Sequence, residues 1–201
     1  MLVNVGRKMN KAKRKILSAA SELFLEGGIS SLSVRAISKR AGVSTIGIYS
    51  HFQGKQGILD VLYIQGFELV SAAMSVDKEV TSPKEAILLG VEGYLNVADK
   101  YEAHYRLIFG ESSTGYTPSD KARAASEKAF GRLVNVVSVL LPEQASREEK
   151  QKTAIEIWAF VHGFVSLKHH AISESIKSDD WNVMTLQALA AHVDALIAIR
   201  N

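Results

Sequence analysis

A chain of 201 residues with 47% apolar and 22% charged side chains can bury a sizeable core and is too apolar to be disordered. The absence of cysteine excludes disulfides, thiolate metal sites and cysteine nucleophiles. The net charge of +3 is unevenly placed: residues 1–55 hold ten Lys/Arg against two Glu, and residues 56–201 hold 14 against 19 acids.

In chain order, Ile16, Ala19, Ala20, Leu23 and Phe24 recur at helical spacing and predict an amphipathic first helix. It ends at Gly27-Gly28, where a left-handed C-cap is expected. Ser33 caps a short second helix carrying Val34 and Ile37. Gly42 makes the turn, and Ser44 caps a third short helix to about Phe52. Two short helices joined by a tight glycine turn are the pattern of a helix-turn-helix, with Val34, Ile37, Val43 and Ile48 fixing the angle between them. Its second helix fits the roughly 12 Å major groove.

Lys55 opens a longer helix to about Ser75, with Ile58, Leu59, Leu62, Tyr63, Leu69, Val70 and Ala73 on its buried side. Ser82-Pro83-Lys84-Glu85 and Ser146-Arg147-Glu148-Glu149 are capping boxes, and Thr117-Pro118-Ser119-Asp120 is a weaker start signal. Pro142 stops the helix before it. Ile157 to Leu167 is 11 residues without a charge, short of the roughly 20 that span a membrane. A helix apolar all round must be covered all round. Asp179 or Asp180 is expected to cap a last helix bearing Leu186, Leu189, Val193 and Ile197. The reading is an all-α protein of about nine helices. Residues 1–55 form a helix-turn-helix head and residues 56–201 a helical body, joined rigidly through helix four. With no apolar leader at the N-terminus, a soluble cytoplasmic protein is expected.

The run Ser33-Val34-Arg35-Ala36-Ile37-Ser38-Lys39-Arg40-Ala41-Gly42-Val43-Ser44-Thr45-Ile46-Gly47-Ile48-Tyr49-Ser50-His51-Phe52-Gln53-Gly54-Lys55 closely resembles the DNA-binding signature of the TetR family of transcriptional regulators. The likeness extends from about Lys11 to Leu62. It implies that the helix over Ser44–His51 enters the major groove, with Thr45, Ile46, Gly47 and Ser50 reading bases. It also implies that Ser33, Arg35, Tyr49, His51 and Lys55 grip phosphates, and Ser44 belongs to the same surface. The chain departs from the family pattern at Ser38, Gly54 and the Ile46-Gly47 pair. The plain alternatives are a core aromatic at Tyr49, a capping histidine at His51, exposed hydroxyls at Thr45 and Ser50, and a surface lysine at Lys55. Lys8, Lys11, Lys13 and Arg14 form either a minor-groove arm or a solvated basic tail.

Trp158…His162-Gly163, with His104-Tyr105-Arg106-Leu107-Ile108-Phe109, resembles a C-terminal domain type of such regulators named for its Trp…His-Gly signature. That likeness implies dimerisation through the last two long helices and a pocket for a small-molecule effector. Pocket candidates are Tyr63, Phe67, Met74, Tyr94, His104, Phe109, Trp158 and His162, for which ordinary core packing is the alternative. Dimer candidates are Ala159, Gly163, Leu189, Val193 and Ile197. His169-His170 lack metal-ligand spacing and are expected at a solvated helix end. No metal, cofactor or catalytic motif is found. The expected function is a DNA-binding regulator, a repressor acting as a homodimer on a palindromic operator and released by an effector. An architectural DNA binder without effector, and a helical small-molecule enzyme, are the alternatives.

Overall fold

The computed structural model describes residues 9–75, 82–109, 115–168 and 176–200, and among these it contains helices and no strand. The helices are α1 (Lys11–Gly27), α2 (Val34–Ala41), α3 (Thr45–Phe52), α4 (Lys55–Ala73), α5 (Pro83–Lys100), α6 (Glu102–Phe109), α7 (Asp120–Val137), α8 (Arg147–Lys168) and α9 (Ser178–Arg200). Single 3-10 turns lie at Ile29–Ser31 and Ser138–Leu140.

Local chemistry explains most of the boundaries. Asn10, Ser33 and Ser44 each accept a backbone N–H three residues on, from Lys13, Ala36 and Gly47, at 2.8, 3.0 and 3.1 Å. Such a cap satisfies one of the orphan donors of a helix start. At α8 the capping box is reciprocal: Glu149 N–H donates to the Ser146 hydroxyl at 3.2 Å, and Ser146 N–H donates to the Glu149 carboxylate at 2.8 Å. Two ends differ from expectation. Gly28 ends α1 at φ 64°, ψ −159°, a glycine conformation but not the left-handed helical one. α9 begins at Ser178, and Trp181 N–H already bonds the Lys177 carbonyl at 3.2 Å. Asp180 therefore lies within the first turn, and the side chain of Asp179 lies outside the described residues.

The chain packs as two compact units that interleave in sequence: Met1–Leu69 with Lys100–Glu127, and Val70–Asp99 with Lys128–Asn201. The change in charge at residue 55 is thus no break in packing, because α4 runs unbroken past it. In the first unit α1 packs on α2 and α6, and α2 packs on α3. Ile16, Ala20, Ile37, Ile48 and Ile58 are fully buried there. In the second unit α8 packs on α9, around Ala154, Ile157, Leu189 and Val193. An ion pair crosses that unit: Lys168 Nζ is 2.6 Å from Asp99 and 3.2 Å from Asn182, which itself donates to Asp99 at 2.9 Å.

Candidate nucleic-acid interface

The turn between α2 and α3 is built by backbone bonds that only one residue type makes cheaply. Gly42 sits at φ 64°, ψ 40°, and its N–H reaches the carbonyls of Lys39 and Ser38. Val43 N–H bonds the Ser38 carbonyl at 3.1 Å. A Cβ at this φ is penalised, whereas glycine adopts it freely. Ser38 is itself buried and donates to the Arg35 carbonyl at 3.0 Å. The hydroxyl that departs from the family pattern is therefore satisfied inside its own helix.

Helix α3 has two faces. Ile48 and Phe52 are buried, at 0% and 6% exposure. Thr45, Ile46, Tyr49 and Ser50 face solvent, with Ile46 at 77% and Tyr49 at 58%. Ser44 is exposed, and its hydroxyl oxygen is committed to the Gly47 cap. Gly47 is half-buried, and a Cβ there would meet only the Ser44 hydroxyl at 3.5 Å. Nothing within the protein thus requires glycine at that position. The exposed orientation of Tyr49 removes the core-aromatic alternative. His51 is half-buried, with its ring centroid 6.5 Å from that of Phe52 in an edge-on arrangement.

The α3–α4 junction is tighter than sequence reasoning anticipated. Gln53 and Gly54 both have positive φ, 61° and 105°. A Cβ on Gly54 would press the Tyr49 ring at 3.3 Å, so the departure from the family pattern at Gly54 has a backbone reason. Gly57 is the residue that sequence reasoning missed. A Cβ there would land on the Phe52 carbonyl oxygen. Its signal was a glycine in the first turn of an otherwise apolar helix.

Lys55 is placed differently from expectation. Its Nζ is part-buried and donates to the Ile29 carbonyl at 2.9 Å, across to the 3-10 turn after α1. In this conformation the lysine ties the start of α4 to the 3-10 turn that follows α1. Ser33 and Arg35 are exposed at the start of α2. Lys11, Arg14, Lys15 and Lys39 are also exposed, and the Lys13 ammonium lies 5.9 Å from the Phe52 ring. Lys8 lies outside the described residues. Arg40 forms two hydrogen bonds to Glu26, at 2.8 and 2.9 Å, and one to Glu22 at 3.5 Å. The bonds from Arg40 hold the Glu26 carboxyl below the usual carboxylate range. Both acids of the head, Glu22 and Glu26, are thus engaged by Arg40.

Below the head, the Asp60 carboxylate of α4 accepts from the Tyr116 hydroxyl at 2.7 Å and from Ser119 N–H at 3.2 Å. Burial, then the bond to Asp60, pushes the Tyr116 phenol upward from its ordinary pKa.

The pocket candidates fall into both units. In the first, Tyr63 and Phe67 meet at 4.9 Å, Phe67 and Phe109 at 5.7 Å, and Tyr63 and Tyr116 at 5.7 Å. His104 is on α6, and its carbonyl would lie 3.4 Å from a Cβ on Gly66. In the second unit Trp158 Nε1 donates to the Tyr94 hydroxyl at 3.3 Å, the Trp158 and His162 rings are 6.4 Å apart, and Met74 is buried. Burial lowers the pKa of both His104 and His162, which favours the neutral imidazoles. Among the described residues no group of three His, Asp or Glu side chains could hold a metal.

The dimer candidates also divide. Leu189 and Val193 are fully buried within their own unit, so they cannot touch a second copy. Their apolar stripe serves the α8–α9 contact. Ala159 is exposed, Gly163 has open space around it, and Ile197 is half-buried. The free stripe of α8 is Ile155, Ala159, Gly163 and Leu167, and that of α9 includes Val183, Ala191, Ala195 and Ala198. His169-His170 lie outside the described residues.

Residues 16–62 match the family model described as bacterial regulatory proteins, tetR family, and residues 89–173 match a Tetracyclin repressor-like C-terminal domain. An uncharacterized HTH-type transcriptional regulator of Mycobacterium tuberculosis is 21% identical over 88% of this chain and 78% of its own length. The HTH-type transcriptional activator FasR of Mycolicibacterium smegmatis is 31% identical over 52% of this chain and 49% of its own. Among solved structures, the TetR family regulator PfmR of Thermus thermophilus has a TM-score of 0.66 at 17% identity, covering 91% of this chain and 97% of that one. A transcriptional regulator of the same fold from Aquifex aeolicus has 0.65 at 22% identity, covering 89% and 97%. With a glycine-turned, serine-capped helix pair at its head and family matches over both its head and its body, the chain belongs to the TetR family: it is a helix-turn-helix transcription regulator and not an enzyme.

Proposed function

We propose that this regulator is a cytoplasmic homodimer that binds a palindromic operator, represses transcription and is released by a small-molecule effector. The observation that carries the DNA-binding part is the solvent face of α3, where Thr45, Ile46, Tyr49 and Ser50 stand out from a helix anchored by Ile48 and Phe52. Phosphate grip falls to Ser33, Arg35, Tyr49 and His51, and base reading to Thr45, Ile46, Gly47 and Ser50. Phosphate contacts set position and groove contacts choose sequence. Lys55 acts first as a positioning residue, through its bond to Ile29.

Dimerisation is supported by the second unit. The stretch Asp180–Ile199 has a mean hydropathy of 1.4, long and apolar enough to cross a membrane by length and composition, yet 22% of it is buried. The small exposed residues Ala159, Ala191 and Ala195, with half-buried Gly163, let a second pair of helices approach closely. Two-fold pairing of α8 and α9 covers this face with its own copy and sets two heads on two half-sites. Effector response rests on the aromatic groups. Tyr63 and Phe67 lie on α4, the helix whose first residue holds Ile29, so a ligand that moves α4 moves the head. A coupling of about 1–3 kcal/mol changes operator affinity roughly 5- to 150-fold. The Trp…His-Gly subtype of the body belongs to the same reading.

The test is a band shift of the purified protein on its own upstream DNA across a salt series, with molar mass measured in parallel. A dimer with steep salt dependence and preference for that DNA supports the reading. A monomer indifferent to duplexes at modest ionic strength refutes it. A reporter fusion separates repression from activation.

A further inference from the structure

The reading face of α3 lacks the side chains that usually identify guanine and adenine. From Thr45 to Phe52 there is no Arg, Lys, Asn, Gln, Asp or Glu. Those are the groups that bond bidentately to G, pair with A, or accept from C in the major groove. The Ser44 hydroxyl is engaged by Gly47 N–H at 3.1 Å. Gln53 stands past the end of the helix in a left-handed conformation, its φ at 61°. The N-terminal turn of a recognition helix is the part that reaches base edges. There this protein presents Ile46, 77% exposed, beside the exposed Thr45. The most prominent group offered to the groove is therefore a branched hydrocarbon that the head leaves largely exposed.

From this juxtaposition we propose that Ile46 is the specificity-determining residue and that it recognises thymine through its C5-methyl group, so each half-site carries a T·A pair at the position beneath Ile46. The thymine methyl is the one apolar feature of the major-groove edge, and apolar side chains read it by contact. Half-buried Gly47 beside it lets the helix axis come close enough for that contact. Thr45 places a second methyl on the same turn. Sequence choice then depends on methyl burial more than on hydrogen-bond direction, and hydroxyls of Thr45, Tyr49 and Ser50 remain for backbone and for tolerant base contacts.

This inference rests on the DNA-binding reading, and its test keeps the two apart. Duplexes are first selected from a random pool with the full-length protein. Each thymine of the selected site is then replaced by deoxyuridine, which lacks only the methyl group. The expected result is a T·A pair in each half-site at which deoxyuridine weakens binding about fourfold, and about fifteenfold when both half-sites are changed. With Ile46→Ala, whose exposed site leaves the fold unchanged by circular dichroism, the same substitution makes no difference. With Ile46→Val the sensitivity is retained. Equal binding of thymine and deoxyuridine at every position overturns the proposal, as does a deoxyuridine penalty at the pair beneath Ile46 that persists undiminished in Ile46→Ala. If no sequence is enriched and binding shows no salt dependence, the DNA-binding reading itself has failed, and this inference falls with it.

Discussion

Replacing Gly47 by alanine separates folding from DNA binding, because the structure predicts opposite signs for the two. Gly47 is not among the residues of positive φ, and a Cβ built on it meets only the Ser44 hydroxyl, at an ordinary 3.5 Å. No strain opposes the extra methyl group. Alanine is favoured over glycine inside a helix by about 1 kcal/mol, through the smaller backbone entropy lost on folding. In a domain of this size that raises the melting temperature by about 2–4 °C. On DNA the same methyl stands between the helix and the groove. Overpacking of a fitted contact costs about 1–3 kcal/mol, which is roughly 5- to 150-fold in affinity. Thermal melting followed by circular dichroism and titration of a labelled operator measure both terms on one preparation. A Gly47→Ala protein that melts higher and binds operator as tightly as the parent refutes close approach at this position. One that melts lower refutes the structural account of α3.

Gly57→Ala should destabilise the head by about 3 kcal/mol, since the new Cβ meets the Phe52 carbonyl oxygen and the α3–α4 junction must shift; chemical denaturation measures it. Tyr49→Phe should weaken every duplex about tenfold, the loss expected of one hydrogen bond to a charged group, while Thr45→Ala alters preference among sequences; competition binding on a random and a selected duplex tells them apart. For pH, burial lowers the folded-state pKa of His104 and His162. The unfolded chain therefore binds protons first as pH falls below about 6.5. Stability should be flat above neutrality and decline as pH falls below about 6.5, less steeply in His104→Gln, as followed by melting temperature against pH. Ala159→Glu puts a charge on an exposed position of the free α8 stripe, so it should give monomers with an unchanged helix content, by sedimentation velocity.

Much of the head was legible because its determinants are local. Ser33 and Ser44 each bond a backbone N–H three residues away, and Gly42 needs only its own φ. Interactions of that range follow from residue type and spacing alone. The family signature across Ser33–Lys55 supplied the expected contacts, and the exposure of Thr45, Ile46, Tyr49 and Ser50 agrees with a reading face. Lys55 lies beyond the reach of local rules. Its hydrogen-bond partner is the Ile29 carbonyl, 26 residues away, and no spacing rule singles out that oxygen.

The amino-acid sequence by itself determined an all-helical chain, its main helix starts, the turn of the helix-turn-helix and the basic head. These depend on propensity, capping and charge, which act within a few residues. Tertiary structure alone decided which apolar stripe faces inward. Leu189 and Val193 look like interface residues by periodicity but are buried in their own unit, while Ala159 remains open. It also decided the closeness of Gly57 to Phe52, the bonding of Asp60 to Tyr116 and Ser119, and the interleaving of the two compact units. Helical periodicity reports that a face is apolar. Which neighbour covers that face depends on how distant helices close on one another.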